Sequence, residues 1–61
     1  MIIRNIAKCL ECNEVIESKH RHDFVSCKCG SLFVDGGLDY IKRGFDPDKA
    51  WEELSEYESE E

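Results

Sequence analysis

Four cysteines in two close pairs are the residues of this sequence best suited to chemistry. Two residues separate Cys9 from Cys12, one separates Cys27 from Cys29, and 14 lie between the pairs. Two such pairs, each on a hairpin-like knuckle, present four sulfurs at the corners of a tetrahedron, which is the geometry that zinc takes with thiolate ligands. The spacing therefore predicts one structural zinc ion bound by all four cysteines.

Other uses of the same cysteines stay open at this point. Most zinc ribbons carry two C-x-x-C pairs, whereas the second pair here is one residue shorter. An iron site of rubredoxin type, a redox dithiol at Cys9 and Cys12, and inert buried thiols are the alternatives. Gly30 follows the second pair, and we expect it to turn the backbone sharply past the metal and direct an amide N–H at a thiolate.

The short chain favours a cross-link, either a disulfide or a bound metal, as a source of stability. A chain of 61 residues forms one domain with a small core, and domains of this size usually need a disulfide or a metal. The sequence has no signal-peptide pattern and no run of about 20 apolar residues, so we predict a cytoplasmic protein without a membrane segment. Because a reducing cytosol disfavours disulfides, metal binding is the preferred interpretation.

Charge divides the chain into two parts. Residues 1–45 hold seven Lys and Arg against six Asp and Glu, whereas residues 46–61 hold one lysine against eight acidic residues. The net charge of −6 is unfavourable for binding nucleic acid, whose affinity depends on neutralising phosphates. A nucleic-acid-binding zinc ribbon that uses a basic patch is the alternative, with Arg21, Lys28, Lys42 and Arg43 as its residues.

The acidic part carries the signals of an α-helix. Asp46 suits the N-cap and Pro47 the first helical position, and Ala50, Leu54 and Tyr57 follow with helical spacing. We predict an acidic amphipathic helix from about 47 to 58, packed on a β domain of residues 1–45. Its charged face is one candidate partner-binding surface, formed by Glu52, Glu53 and Glu56.

Short strands are expected before the helix. The segment MIIRNIAK reads as a strand, and EVIES and HDFVSC read as a hairpin with its tip near Lys19 to Arg21. SLFVDGGLDYIKR reads as a second hairpin in which Gly36 and Gly37 adopt positive φ. Its register stays open between Val34 opposite Leu38 and Phe33 opposite Tyr40. The predicted fold class is small α+β, with zinc-ribbon-like antiparallel β-hairpins and a C-terminal α-helix.

The KHRHD segment is the second candidate partner-binding surface, through His20, Arg21 and His22. If these residues lie on a strand, both histidines share a face and can bind a second metal with Asp23. A solvated hairpin tip is the simpler interpretation. A zinc ion with four cysteine ligands has no open position for water, and no nucleophile and base accompany it, so we predict that the protein is not an enzyme.

A resemblance adds to these predictions. Residues 9–44 resemble short, functionally uncharacterised zinc-ribbon-like proteins of phages, prophages and Gram-positive bacteria, through C-x-x-C, SKHRHDF, C-x-C-G and VDGGLDY. The resemblance implies that the four cysteines are metal ligands. By analogy with small acidic phage proteins, it also implies a protein-binding regulator that inhibits a host nucleic-acid-processing or defence protein. A nucleic-acid-binding ribbon and a thiol redox protein are the alternative functions, and a homodimer through the helix or a sheet edge is a further possibility.

Overall fold

The computed structural model describes residues 1–58 as seven β-strands in two antiparallel sheets. These residues include no helix of a length and apolarity suited to crossing a membrane. The strands are β1 (Ile2–Cys9), β2 (Val15–Ser18), β3 (Val25–Ser26), β4 (Leu32–Asp35), β5 (Lys42–Phe45), β6 (Trp51–Glu53) and β7 (Glu56–Tyr57).

The predicted N-terminal strand is the centre of the first sheet. β1 pairs with β2 on one side, with Ala7 opposite Ile16, and with β6 and β7 on the other. Alternate side chains of a strand share a face. Asn5, Ala7 and Cys9 are therefore on one face, and all three are buried. This face is the side of the sheet that packs into the core.

The second sheet has the order β3-β4-β5 and contains the predicted second hairpin. β4 and β5 pair antiparallel with Phe33 opposite Gly44, and six residues, 36–41, connect them. Both registers proposed from the sequence are wrong because each assumed a shorter turn. Gly36 and Gly37 do have positive φ, at 104° and 54°. Side chains at these positions would collide with the backbone of Tyr40 and of His20.

The two sheets pack face to face around a small apolar core. β1 and β2 contribute Ala7, Cys9 and Ile16, and β4 contributes Leu32 and Val34. Cys27 completes this cluster, so two of the four cysteines are core residues. The cysteines and the hydrophobic core are therefore one continuous unit.

The predicted first hairpin is wrong, because its two strands belong to different sheets. Residues 19–24 between β2 and β3 are instead a connection held by Ser18. The buried Ser18 hydroxyl donates to the carbonyl of Asp23 at 2.7 Å and accepts from the N–H of Gly37 at 2.9 Å. Opposite Ser18 on β1, the Asn5 amide donates to the carbonyl of Gly37 at 2.8 Å. Two buried polar side chains thus fix both loops at this end of the molecule.

The predicted C-terminal helix is also wrong, and the α+β class with it, because residues 1–58 form strands and no helix. The carboxylate of Asp46 accepts from the backbone N–H of Asp48 at 3.0 Å, as the side chain of a helix cap does. The backbone carbonyl of Asp46 accepts from the N–H of Lys49 at 2.9 Å. The chain then continues as β6, with Cys9 opposite Trp51 and Ala7 opposite Glu53. The capping signals were real, but they close a turn rather than a helix.

Contacts between the sheets explain why the C-terminal segment is extended. The guanidinium of Arg43 on β5 binds the carboxylate of Glu53 on β6 through two hydrogen bonds, of 2.7 and 2.6 Å. Two residues away on each strand, the rings of Phe45 and Trp51 lie 5.3 Å apart. Since side chains of a strand alternate, an extended chain presents Trp51 and Glu53 on the same face. A helix would separate these two side chains by about 200°.

Replacing Glu53 with Gln removes the anionic partner of Arg43, whose side chain is only 7% exposed. We expect the free energy of unfolding to fall by about 1–3 kcal/mol in chemical denaturation. Glu52→Gln is the matched control, because Glu52 lies on the outward face, and it should change stability by less than about 0.5 kcal/mol.

The same pair predicts a pH dependence. Although burial opposes ionisation, hydrogen bonds from Arg43 and Ser55 lower the net pKa of Glu53 below its ordinary value of 4.5. The stability difference between wild type and Glu53→Gln should therefore be full above pH 4.5 and shrink as the pH falls through the lower folded pKa. Equal stability of Glu53→Gln and Glu52→Gln at neutral pH would contradict this role.

Candidate metal centre

The four cysteines lie at the tips of two hairpins, one from each sheet. Cys9 ends β1 and Cys12 lies in the turn to β2, whereas Cys27 and Cys29 lie in the turn between β3 and β4. The N–H of Cys9 donates to the carbonyl of Glu14 at 2.9 Å, and the N–H of Cys27 donates to that of Leu32 at 3.0 Å. The two turns therefore close with the same hydrogen bond, from the first cysteine to the residue five positions later.

A left-handed residue follows the second cysteine of each pair. Asn13 has φ of 61° and Gly30 has φ of 77°. These are residue types that enter this region at low cost. The N–H of Gly30 donates to the carbonyl of Cys27 at 2.9 Å, and not to a thiolate as expected from the sequence. Asn13 was missed, although an asparagine directly after C-x-x-C is a usable signal for such a turn.

The four sulfurs converge on one point. All four Sγ atoms lie within 4.8 Å of one another. The Sγ atom of Cys29 lies 3.4 Å from that of Cys27 and 3.5 Å from that of Cys9. Four thiolates around a tetrahedral zinc are separated by about 3.8 Å, given the Zn–S length of about 2.3 Å. The arrangement is thus able to bind a metal ion with tetrahedral sulfur ligation.

Burial differs among the four ligand residues. Cys9 and Cys27 are buried, Cys12 is half-buried and Cys29 is exposed. Solvent therefore reaches the cluster from the side of Cys29. This side provides a path for a metal ion to enter, and the two buried cysteines fix the position of the site relative to the core.

Hydrogen bonds prepare part of the cluster for ionisation, which metal ligation requires. The Ser31 hydroxyl and backbone groups at Cys12 and Glu11 lower the pKa of Cys9 to about 6. Burial raises the pKa of Cys12. Burial also opposes ionisation of Cys27, but hydrogen bonds from Cys29 and from backbone groups bring its pKa below the ordinary value.

Two further residues support the cluster and were missed from the sequence. The Ser31 hydroxyl lies 3.1 Å from Sγ of Cys29 and 3.3 Å from Sγ of Cys9, between ligands of different hairpins. The carboxylate of Glu14 accepts from the backbone N–H of Lys28 at 2.6 Å and so joins the two turns. A polar residue next to a cysteine pair is too common a feature to have signalled either role.

The KHRHD residues lie apart from the cysteine cluster. His20, Arg21 and His22 are exposed in the connection after β2, and not on one face of a strand. In residues 1–58, the four cysteines form the one group of three or more side chains positioned to hold a metal. The carboxylate of Asp23 instead accepts from the N–H of Lys19 at 2.9 Å. The second metal site considered there as an alternative to a solvated tip is not formed in this part of the chain.

The charged residues predicted to bind partners are divided by the fold. Glu52 and Glu56 are exposed on β6 and β7, whereas Glu53 is held by Arg43. Arg43 therefore does not join the basic patch proposed with Arg21, Lys28 and Lys42. These other three basic residues are exposed and make no ion pair within the described part of the chain.

Fold and site together define a small all-β domain that is built around a four-cysteine metal-binding cluster. A family model described as Domain of unknown function (DUF7695) matches residues 1–45. The chain belongs to this family. The match includes all four cysteines and β1 to β5, and it stops before β6. Comparisons with curated proteins and with solved structures found no match.

Removing one buried ligand tests the cluster. Cys27→Ser should release the metal and abolish the folded far-UV spectrum, because metal binding in so small a domain contributes directly to folding. Ser31→Ala removes only the neighbouring hydroxyl, so we expect it to weaken metal affinity by about tenfold. Metal content by mass spectrometry and circular dichroism measure both effects, with Ser26→Ala as the control. A full metal equivalent in Cys27→Ser would contradict the assignment.

Proposed function

We propose that the protein is a zinc-stabilised, non-enzymatic domain that works by binding another protein. The observation that carries the proposal is the convergence of the four Sγ atoms, two of them in the core. Zinc is preferred over iron because it is the usual metal of structural four-cysteine sites. A colourless protein with one zinc per chain supports this identity, whereas visible absorption by iron would contradict it.

A structural role follows from the number of ligands. Zinc in a catalytic site keeps one position free for water or substrate, but four cysteines complete its tetrahedral shell. A thiol redox protein is less consistent with the cluster, because all four sulfurs converge and not two alone. The function of such a domain then resides on its surface.

The outward side of the C-terminal strands is the surface best suited to binding a basic partner. Glu52, Leu54 and Glu56 follow at two-residue intervals on the side away from Arg43, and all three are exposed. Glu56 also lies 3.8 Å from the guanidinium of Arg4, so Glu52 is the one of these two acidic side chains with no ion pair among residues 1–58. Negative charge on an exposed strand accelerates association with a positively charged protein. The resemblance to phage proteins extends this proposal to an inhibitor of a host nucleic-acid-processing or defence protein, acting by occlusion in the cytoplasm.

One observation favours a second candidate function, the binding of single-stranded nucleic acid. Phe24 and Phe33 stack on the outer face of the second sheet with ring centroids 4.5 Å apart, and Phe24 is 59% exposed. The register places Lys42, opposite Asp35, on that face. Exposed aromatic rings beside cations are a platform on which bases stack. The net charge of −6 makes this the weaker candidate.

Affinity capture from host lysate, with and without nuclease, separates the two functions. We expect a protein partner at near-equal stoichiometry that is retained after nuclease treatment. Glu52→Lys with Glu56→Lys should abolish its capture and leave the metal content unchanged. His20→Ala with His22→Ala is the matched variant on the other candidate surface. Capture that disappears with nuclease, and with Phe24→Ala, would contradict protein binding and support the second candidate.

A further inference from the structure

The C-terminal segment is held on the domain as a bound peptide would be. Residues 46–58 lie outside the family match, which ends at residue 45. Within the described chain, β6 and β7 pair with β1 alone. Backbone hydrogen bonds from Leu10 to Ala50, from Leu54 to Ile6 and from Glu58 to Met1 attach the segment along the whole edge of β1, at 2.8–3.1 Å. This pairing is β-augmentation within one chain.

Three alternate side chains of the segment are recognised individually. Trp51 packs against the ring of Phe45, and Glu53 forms the bidentate ion pair with Arg43. The Ser55 hydroxyl accepts from the N–H of Ile6 at 3.1 Å, and Arg43 Nη2 lies 2.8 Å from the same oxygen. The pattern recognised is therefore aromatic-x-Glu-x-Ser, with the two intervening residues directed outward.

All the recognising groups belong to residues 1–45. Phe45 supplies the aromatic surface, Arg43 the cation, and Ile6 the backbone N–H and carbonyl on β1. Arg43 Nη2 also donates to the Ile6 carbonyl at 3.3 Å, which orients the guanidinium toward this edge. With the segment in place, the Arg43 side chain is 7% exposed and pairs with Glu53. A segment that covers this cation must therefore supply an anion, so the site selects for an acidic segment.

We propose that the edge of β1, with Arg43 and Phe45, is a recognition site for an extended acidic segment of a partner protein that carries the pattern aromatic-x-Glu-x-Ser. Residues 51–55 of this chain occupy the site in cis and compete with the partner. The inference rests on the proposed protein-binding function, but it adds a second site, the edge of β1, to the outward acidic side of the C-terminal strands, and it names the segment that this second site binds. The partner segment binds only to chains in which residues 51–55 have left the site. Its apparent affinity is therefore lower than its intrinsic affinity, in proportion to the fraction of chains that are open.

A peptide in trans tests the site directly. The probe is a fluorescent peptide with the sequence of residues 46–58, and the receptor is the full-length variant Trp51→Ala with Glu53→Gln. We expect this variant to bind the peptide at least tenfold more tightly than wild type, because its own segment is weakened. Glu53→Gln in the peptide should cost tenfold or more, whereas the matched peptide Glu52→Gln should bind within about twofold. Adding Arg43→Gln to the receptor should abolish binding.

A less disruptive receptor keeps the test decisive if the variant Trp51→Ala with Glu53→Gln fails to fold. The single variant Glu53→Gln retains Trp51, and its affinity for the peptide should lie between those of wild type and the double variant. Metal content confirms that each receptor is folded. Folded receptors that do not bind the peptide, or that bind the wild-type and Glu53→Gln peptides equally, would overturn the proposal.

Two outcomes separate this proposal from the function on which it rests. A captured protein partner without peptide binding would remove the recognition site and leave protein binding intact. Peptide binding without any captured partner would leave the recognition site intact and contradict the proposed protein-binding function. A wild-type dimer in which the segments exchange, detected by light scattering and by loss of exchange in Arg43→Gln, would assign the site to a second copy and overturn the proposal for a different partner.

Discussion

The convergence of four sulfurs from two hairpin tips is the constraint on which the rest of this structure depends. Cys9 belongs to the first sheet and Cys27 to the second, and both are also part of the apolar core. The remaining core side chains are few, and a domain of 61 residues gains little stability from them. A structural zinc contributes on the order of 10–16 kcal/mol in small peptides at neutral pH. A metal bound by the four sulfurs would therefore join the two hairpins at one end of the sheets.

A second connection between the sheets acts at the C-terminal segment. Arg43 and Phe45 on β5 face Glu53 and Trp51 on β6, so charge and aromatic packing form two successive contacts. These contacts position β6 on the edge of β1, next to Cys9. They also withdraw the Arg43 side chain from solvent and engage the carboxylate of Glu53 in an ion pair. The exposed acidic side chains that remain, and the stacked rings of Phe24 and Phe33 on the opposite sheet, are the surfaces left for partners.

Local patterns in the sequence predicted the parts of the fold that are local. The cysteine spacing, the strand at the N-terminus and the positive φ of Gly36 and Gly37 depend on neighbouring residues, and the structure has the strand and the turn geometry. The helix prediction was wrong because two patterns overlap in this segment. Ala50, Leu54 and Tyr57 fit the period of a helix, and Trp51 and Glu53 fit the period of a strand equally well. What decides between them is Arg43, ten residues from Glu53 in sequence. The roles of Ser31 and Glu14 at the metal centre likewise depend on contacts between hairpins.

The most direct test of metal-dependent folding is a titration of the metal-free chain with zinc, followed by amide NMR spectra and far-UV circular dichroism. We expect a poorly dispersed, unfolded spectrum without metal and a dispersed β spectrum that is complete at one equivalent. The Trp51 indole signal should shift in the same transition, because β6 pairs with Cys9. A metal-free chain that already has the dispersed spectrum, unchanged on addition of zinc, would contradict the central role of the cluster.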